Sequence, residues 1–132
     1  VGRVMVWQPA ILSPDATLVD AAYVLKSRRV PVIALCDHTG VAGFVTEGDI
    51  AVKGATEPRR HLREIMQKVV AFCFEQDTLG KAVRLMTRHR VHWLPILDST
   101  YSLIGMVSVD RIAGFVSPRT ARSLLRAFPS RS

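Results

Sequence analysis

Cysteine is scarce. The chain has 132 residues and two cysteines, Cys36 and Cys73, both in apolar runs. That excludes a disulfide framework and leaves two thiols of the kind usually buried. No apolar run approaches the roughly 18 residues of a membrane span. The opening VGRVMVWQPAIL lacks a cleavage site and a long apolar centre. These absences lead us to expect a soluble, cytoplasmic chain. Acids are also few: 11 against 18 Lys and Arg, giving a formal charge of +7. Such a balance favours anionic partners or a solvated basic surface. Catalytic motifs are missing: there is no phosphate-binding G-x-x-x-x-G-K-[ST] loop, no G-x-S-x-G elbow and no H-E-x-x-H pair. The four histidines, 38, 61, 89 and 92, show no metal-ligand spacing beyond single gaps, and Cys36 and His38 are expected to point apart. We therefore expect neither a metal site nor an enzyme.

What is present is a repeat. Val4-Met5 matches Ile65-Met66, Thr17-Leu18 matches Thr78-Leu79, and Arg29-Val30 matches Arg90-Val91, each 61 residues apart. Gly43, Thr46 and Ile50 then match Gly105, Ser108 and Ile112 at a spacing of 62. The slip implies a turn one residue longer in the second copy.

Each copy has the same element order. In the first, residues 9–13 read as a strand. Leu18, Ala21, Ala22 and Leu25 follow at helical period behind a Thr17 cap. Residues 30–36 and 41–46 read as strands around a turn, and a short helix runs from Glu47 to Lys53. In the second, residues 69–74 read as a strand, 79–86 as a helix, 90–97 and 103–108 as strands, and a last helix ends near Phe115. The fold class is α/β (α+β), two β-α-β-β-α repeats related by pseudo-twofold symmetry. We divide the chain into a first repeat at 1–56, a second at 57–116 with a polar linker at 54–64, and a basic tail at 117–132. Arg119, Arg122 and Arg126 share one face of a helix starting at Ser117-Pro118. Such a tail suits an acidic protein or nucleic acid, although no aromatic for base stacking lies among Arg119, Arg122 and Arg126.

GFVTEGDI at 43–50 and GMVSVDRI at 105–112 close the two repeats. Thr46 followed by Asp49 reads locally as a relative of the capping box. A carboxylate there also has two acceptor oxygens for the hydroxyls of a ribose. Ser108 keeps the cap, but Arg111 has only donors, and Asp110 lies about 100° around the helix from it.

The tandem starts, the helix entries SPDATLVDAA and EQDTLGKAV, the strand RVHWLPILD and the paired ends together resemble a pair of CBS (cystathionine-β-synthase) domains, a Bateman module, over residues 3 to 115. The resemblance implies a module that dimerises and binds an adenosine-containing ligand in a cleft between repeats. AMP, ADP or ATP is the foremost candidate, with S-adenosylmethionine or NAD as others. It further implies that Thr46 and Asp49 hold the ribose and that Val69, Val70 and Ala71 flank the base. His92, and after it Lys68, are the candidates for phosphate. Arg111 departs from the family pattern, so the cleft of Ser108 and Arg111 is expected to be empty or to hold an anion rather than a nucleoside. The alternatives are a ligand-free dimerisation module and nucleic-acid binding through the tail.

Overall fold

A computed structural model describes residues 1–128 except Val4 and Gln8, with only the backbone of Val6 and Trp7. Val4 of the repeat start and Arg131 of the basic tail therefore lie outside the described residues. Two compact units are present: Pro9–Val69, and Val1–Gln8 together with Val70–Arg131.

In the unit of residues 9–69, β2 (Ala10–Leu12) leads to α1 (Leu18–Arg28), β3 (Val32–Asp37), β4 (Gly40–Thr46) and α2 (Glu47–Gly54). A 3-10 turn at Leu62–Glu64 precedes β5 (Gln67–Lys68), and the sheet order is β2-β3-β4-β5. Leu18, Ala21, Ile33, Leu35, Val45 and Leu62 fill its core. The apolar stripe of α1 supplies two of these, as its 3.6-residue period requires. The linker is folded against the start of α1. There Arg60 and Pro58 carbonyls accept from the Leu18 and Val19 backbone N–H groups, which a helix start otherwise leaves unpaired. Arg60 pairs with Glu57 at 2.9 Å and Arg63 with Asp15 at 3.2 Å, so two of the three linker arginines have acidic neighbours.

The other unit repeats this plan with β1 (Val6–Trp7), β6 (Cys73–Phe74), α3 (Leu79–His89), β7 (Trp93–Leu97), β8 (Leu103–Ser108) and α4 (Val109–Ala113), in sheet order β1-β8-β7-β6. It adds α5 (Pro118–Ala127). Leu124 of α5 and Phe128 beyond it are buried in the same core as Met86, Leu94 and Ile112. The basic tail is thus partly core: its apolar face is packed, and Arg119, Arg122 and Arg126 are exposed.

Three sequence expectations need correction. The strand expected at 69–74 is confined to Cys73–Phe74, and that at 90–97 begins at Trp93. Arg90 is the left-handed cap of α3, φ 53°, as Arg29 is of α1, φ 52°. The edge strands β1 and β5, two residues each, were not anticipated, because two residues show no alternation. The longer second turn is borne out. Asp37 accepts from Thr39 N in the first, whereas Asp98 accepts from both Thr100 N and Ser102 N in the second. The Thr39 and Thr100 hydroxyls donate to the same two carboxylates, and these side-chain bonds, then the backbone ones, hold both carboxyls below the usual carboxylate range.

β5 lies against β4 with Lys68 opposite Gly43 and Gln67 opposite Phe44. A Cβ on Gly43 would stand 2.6 Å from the Gln67 carbonyl oxygen and 2.7 Å from Met66 Sδ. Gly43→Ala should therefore lower unfolding free energy by about 1–3 kcal/mol in urea titration. Gly80→Ala, on α3 with nothing nearer than 3.8 Å, should instead raise it by about 0.5–1 kcal/mol. Equal effects at both positions would contradict the close approach of β5.

Candidate functional site

All five α-helices described begin on a hydroxyl cap, and in the four that the repeats share the third residue after the cap differs between repeats. In α1, Thr17 Oγ1 accepts from Asp20 N, and Asp20 Oδ2 accepts from Thr17 N at 2.9 Å and from the Thr17 hydroxyl at 3.1 Å. In α2, Thr46 Oγ1 accepts from Asp49 N at 3.2 Å, and Asp49 Oδ2 accepts from Thr46 N at 2.9 Å. In α3 and α4 the hydroxyl bonds persist, Thr78 to Lys81 N and Ser108 to Arg111 N, but the acid is replaced by a base. Capping is thus common to both repeats, and the full box with its carboxylate belongs to the first.

The two acids differ in their second donor and in burial. Asp20 is exposed and takes both bonds on Oδ2 from its own cap residue. Asp49 Oδ2 takes its second bond from Gln67 Nε2 of β5 at 3.1 Å. Among the described residues, Asp49 Oδ1 has no partner and the Thr46 hydroxyl donates to nothing. Thr46 is 2% exposed and Asp49 is half-buried, so the carboxylate is the accessible member of the pair. A half-buried carboxylate oxygen with open lone pairs, aimed from a helix start, suits a hydroxyl donor and repels an anion.

The other expected residues are divided between the units. Lys68 and Val69 belong with Thr46 and Asp49, while Val70, Ala71, His92, Ser108 and Arg111 belong to the other unit. Lys68 is exposed, Val69 and Ala71 are half-buried, and Val70 is 55% exposed. His92 lies against Phe128, ring centroids 4.7 Å apart, and its Nε2 is buried without a partner. That nitrogen is buried, so it is not open to a phosphate in this conformation. Gln67 was missed by sequence reasoning. Its signal would have been the register of β5, which depends on a strand too short to see. A surface groove of about 560 Å³ between α1 and α2, lined by Lys26, Arg29, Glu47 and Ile50 among others, includes neither Thr46 nor Asp49.

No group of three or more His, Cys, Asp or Glu side chains is placed to hold a metal among the described residues, and no helix there is long and apolar enough to cross a membrane. Both cysteines are free. Burial, with the nearby Asp77 charge, pushes the Cys73 thiol up to about 11; burial, then the Asp37 charge, raises that of Cys36.

With this geometry in view, comparison with known proteins defines the class. The CBS domain family profile matches residues 1–54 and 62–118, and the chain belongs to that family. It is 29% identical over 112 residues to the CBS domain-containing protein YhcV of Bacillus subtilis, covering 83% of this chain and 79% of YhcV. It is 27% identical over 114 residues to the 5'-AMP-activated protein kinase subunit gamma-3 of Sus scrofa, covering 78% of this chain and 22% of that subunit. Among solved structures, a CBS domain protein of unknown function from Thermoplasma acidophilum, TA0289, superimposes with TM-score 0.82 at 14% identity, over 100% of this chain and 77% of that one. The CBS domain pair of protein MJ0100, in complex with 5-methylthioadenosine and S-adenosyl-L-methionine, gives 0.73 at 20% identity, over 87% and 93%. The fold is therefore that of a CBS domain pair.

The raised thiols give a direct check. At pH 8 both remain protonated, so folded protein should react with a disulfide reagent far more slowly than a free thiol. Cys73, fully buried, should label only on unfolding. Rapid stoichiometric labelling of either thiol in native protein would contradict this.

Proposed function

We propose that this chain is a regulatory sensing module without catalytic activity, which binds an adenine nucleotide or adenosyl compound through Asp49. The observation that carries the reading is the open Oδ1 of Asp49, held at a helix start by Thr46 and Gln67. AMP, ATP, S-adenosylmethionine and NAD share an adenosine with vicinal ribose hydroxyls, which are donors for such an oxygen. The solved relatives add support: one CBS pair was crystallised with methylthioadenosine and S-adenosyl-L-methionine, and another, CBSX2, with AMP. Arg111 offers no acceptor in its side chain, so the reading assigns one adenosine site per chain. Ligand binding then shifts the module's conformation by no more than its differential affinity for the two states. Exposed Val19 and Tyr23 of α1 and Val52 of α2 support self-association as a homodimer.

Calorimetric titration with AMP, ADP, ATP, S-adenosylmethionine and NAD tests the reading. At least one should bind, and Asp49→Ala should weaken it by ten- to several-hundredfold, the equivalent of losing charge-assisted hydrogen bonds of about 1.5–3 kcal/mol. No binding by the wild type, or undiminished binding by Asp49→Ala, would refute it.

A second reading, docking of nucleic acid on α5, is favoured by the charge distribution. α3 and α5 contain no carboxylate, and α5 exposes Arg119, Arg122 and Arg126 while burying Leu124. Removing the tail would expose core, so the informative variant replaces those three arginines with glutamine. The reading predicts that wild-type affinity for duplex DNA falls steeply with salt and that the triple variant loses the binding and most of the slope. Salt-independent or unchanged retention would count against it.

A further inference from the structure

Among the described capping boxes, that of α2 is set apart by a donor from a distant strand. The α1 box is completed by its own Thr17 hydroxyl, and in the 3-10 turn Glu64 Oε2 accepts from His61 N. At α2, Gln67 Nε2 reaches Asp49 Oδ2 from 18 residues away. An ionised carboxylate only accepts, so the amide nitrogen must face it, which fixes the amide's orientation. Two N–H groups, from Thr46 and Gln67, therefore converge on one oxygen and leave the other without a partner among the described residues.

The repeat supplies an independent comparison. Gln67 lies opposite Phe44, and Lys68 opposite Gly43; Val6 lies opposite Met106, and Trp7 opposite Gly105. In register, Gln67 corresponds to Val6 and Asp49 to Arg111. The second repeat has lost the amide and the carboxylate together. If Gln67 served only to pair an edge strand, it would have no reason to differ along with the acid, since Val6 pairs equally well.

We propose that Gln67 is a positioning residue for hydroxyl recognition: it occupies Asp49 Oδ2 and so presents Oδ1 as the single oxygen offered to a ribose. The torsion of an Asp carboxylate is broad and roughly twofold, so one backbone bond alone leaves the presented oxygen poorly defined. A second donor from β5 removes that freedom before the ligand arrives, and preorganisation of this kind raises affinity without adding a ligand contact. The selectivity follows from the same arrangement. A single pinned acceptor distinguishes a ribose from its deoxy analogue, because a missing hydroxyl leaves Oδ1 half-buried and unpaired.

This inference rests on adenosine binding at Asp49, and the experiment separates the two. AMP and 2'-deoxy-AMP are titrated into full-length wild type, Asp49→Ala, Gln67→Leu and Gln67→Glu. Gln67→Leu should weaken AMP about tenfold and bring the AMP to 2'-deoxy-AMP affinity ratio toward one, with the circular dichroism spectrum unchanged. Gln67→Glu puts two carboxyls together; AMP binding should be lost near pH 8 and recover toward about pH 5, where the pair shares a proton and regains a donor. This pH profile is one that a merely structural role would not produce, and it stands even if the leucine variant fails to fold. Unchanged affinity and ratio in Gln67→Leu, or no recovery in Gln67→Glu while wild type binds throughout, would overturn the role of Gln67 alone. Failure of wild type to bind AMP while it binds none of the other adenosine ligands would overturn the underlying reading as well.

Discussion

β5 can approach β4 only because residue 43 has no side chain. The carbonyl of Gln67 occupies the space where a Cβ would stand, and the two-residue ladder that results fixes the side chain of Gln67 over the start of α2. Much of the proposed chemistry depends on this contact. Without it, β5 loses its register, Asp49 loses its second donor, and the carboxylate becomes an ordinary helix cap. A single glycine in a strand thus links backbone packing to side-chain recognition.

The repeat separates what the fold needs from what recognition needs. Hydroxyl caps begin α1, α2, α3 and α4, because a helix start requires an acceptor for its first N–H groups. The acid three places later is dispensable for folding, since Lys81 and Arg111 stand where Asp20 and Asp49 stand in the first repeat. Asp20 is exposed and takes both of its donors from its own cap residue. Asp49 alone of these two combines a complete box with a donor from a distant strand and a half-buried position, and the proposed function follows from that difference. The second unit departs in another direction. It adds α5, buries Leu124 of it and Phe128 beyond it, and sets the Phe128 ring against that of His92.

Most of the fold was legible in the sequence because the two copies check each other. Helical spacing at Leu18, Ala21 and Leu25 recurs at Leu79, Ala82 and Met86, and the slip from 61 to 62 locates the longer turn at Asp98–Ser102. The cap at Thr46 and the missing acceptor at Arg111 could be read directly from GFVTEGDI and GMVSVDRI. What escaped was set by tertiary contact. β1 and β5 are too short for any periodic signal, so Gln67 and its bond to Asp49 were invisible. Val69 to Phe72 are apolar but outside the ladder, since apolar content alone does not distinguish a strand from a packed connection. The arginine stripe of α5 masked Leu124, whose burial depends on a core assembled from distant segments.

The position of a bound ribose is the most direct test of recognition by Asp49. A crystal structure of this chain with a bound adenosine nucleotide should place a ribose hydroxyl within hydrogen-bond distance of Asp49 Oδ1, with Gln67 Nε2 still on Oδ2 and no nucleoside at Ser108 and Arg111. A nucleotide held elsewhere, or two equivalent nucleosides at both repeat ends, would contradict it.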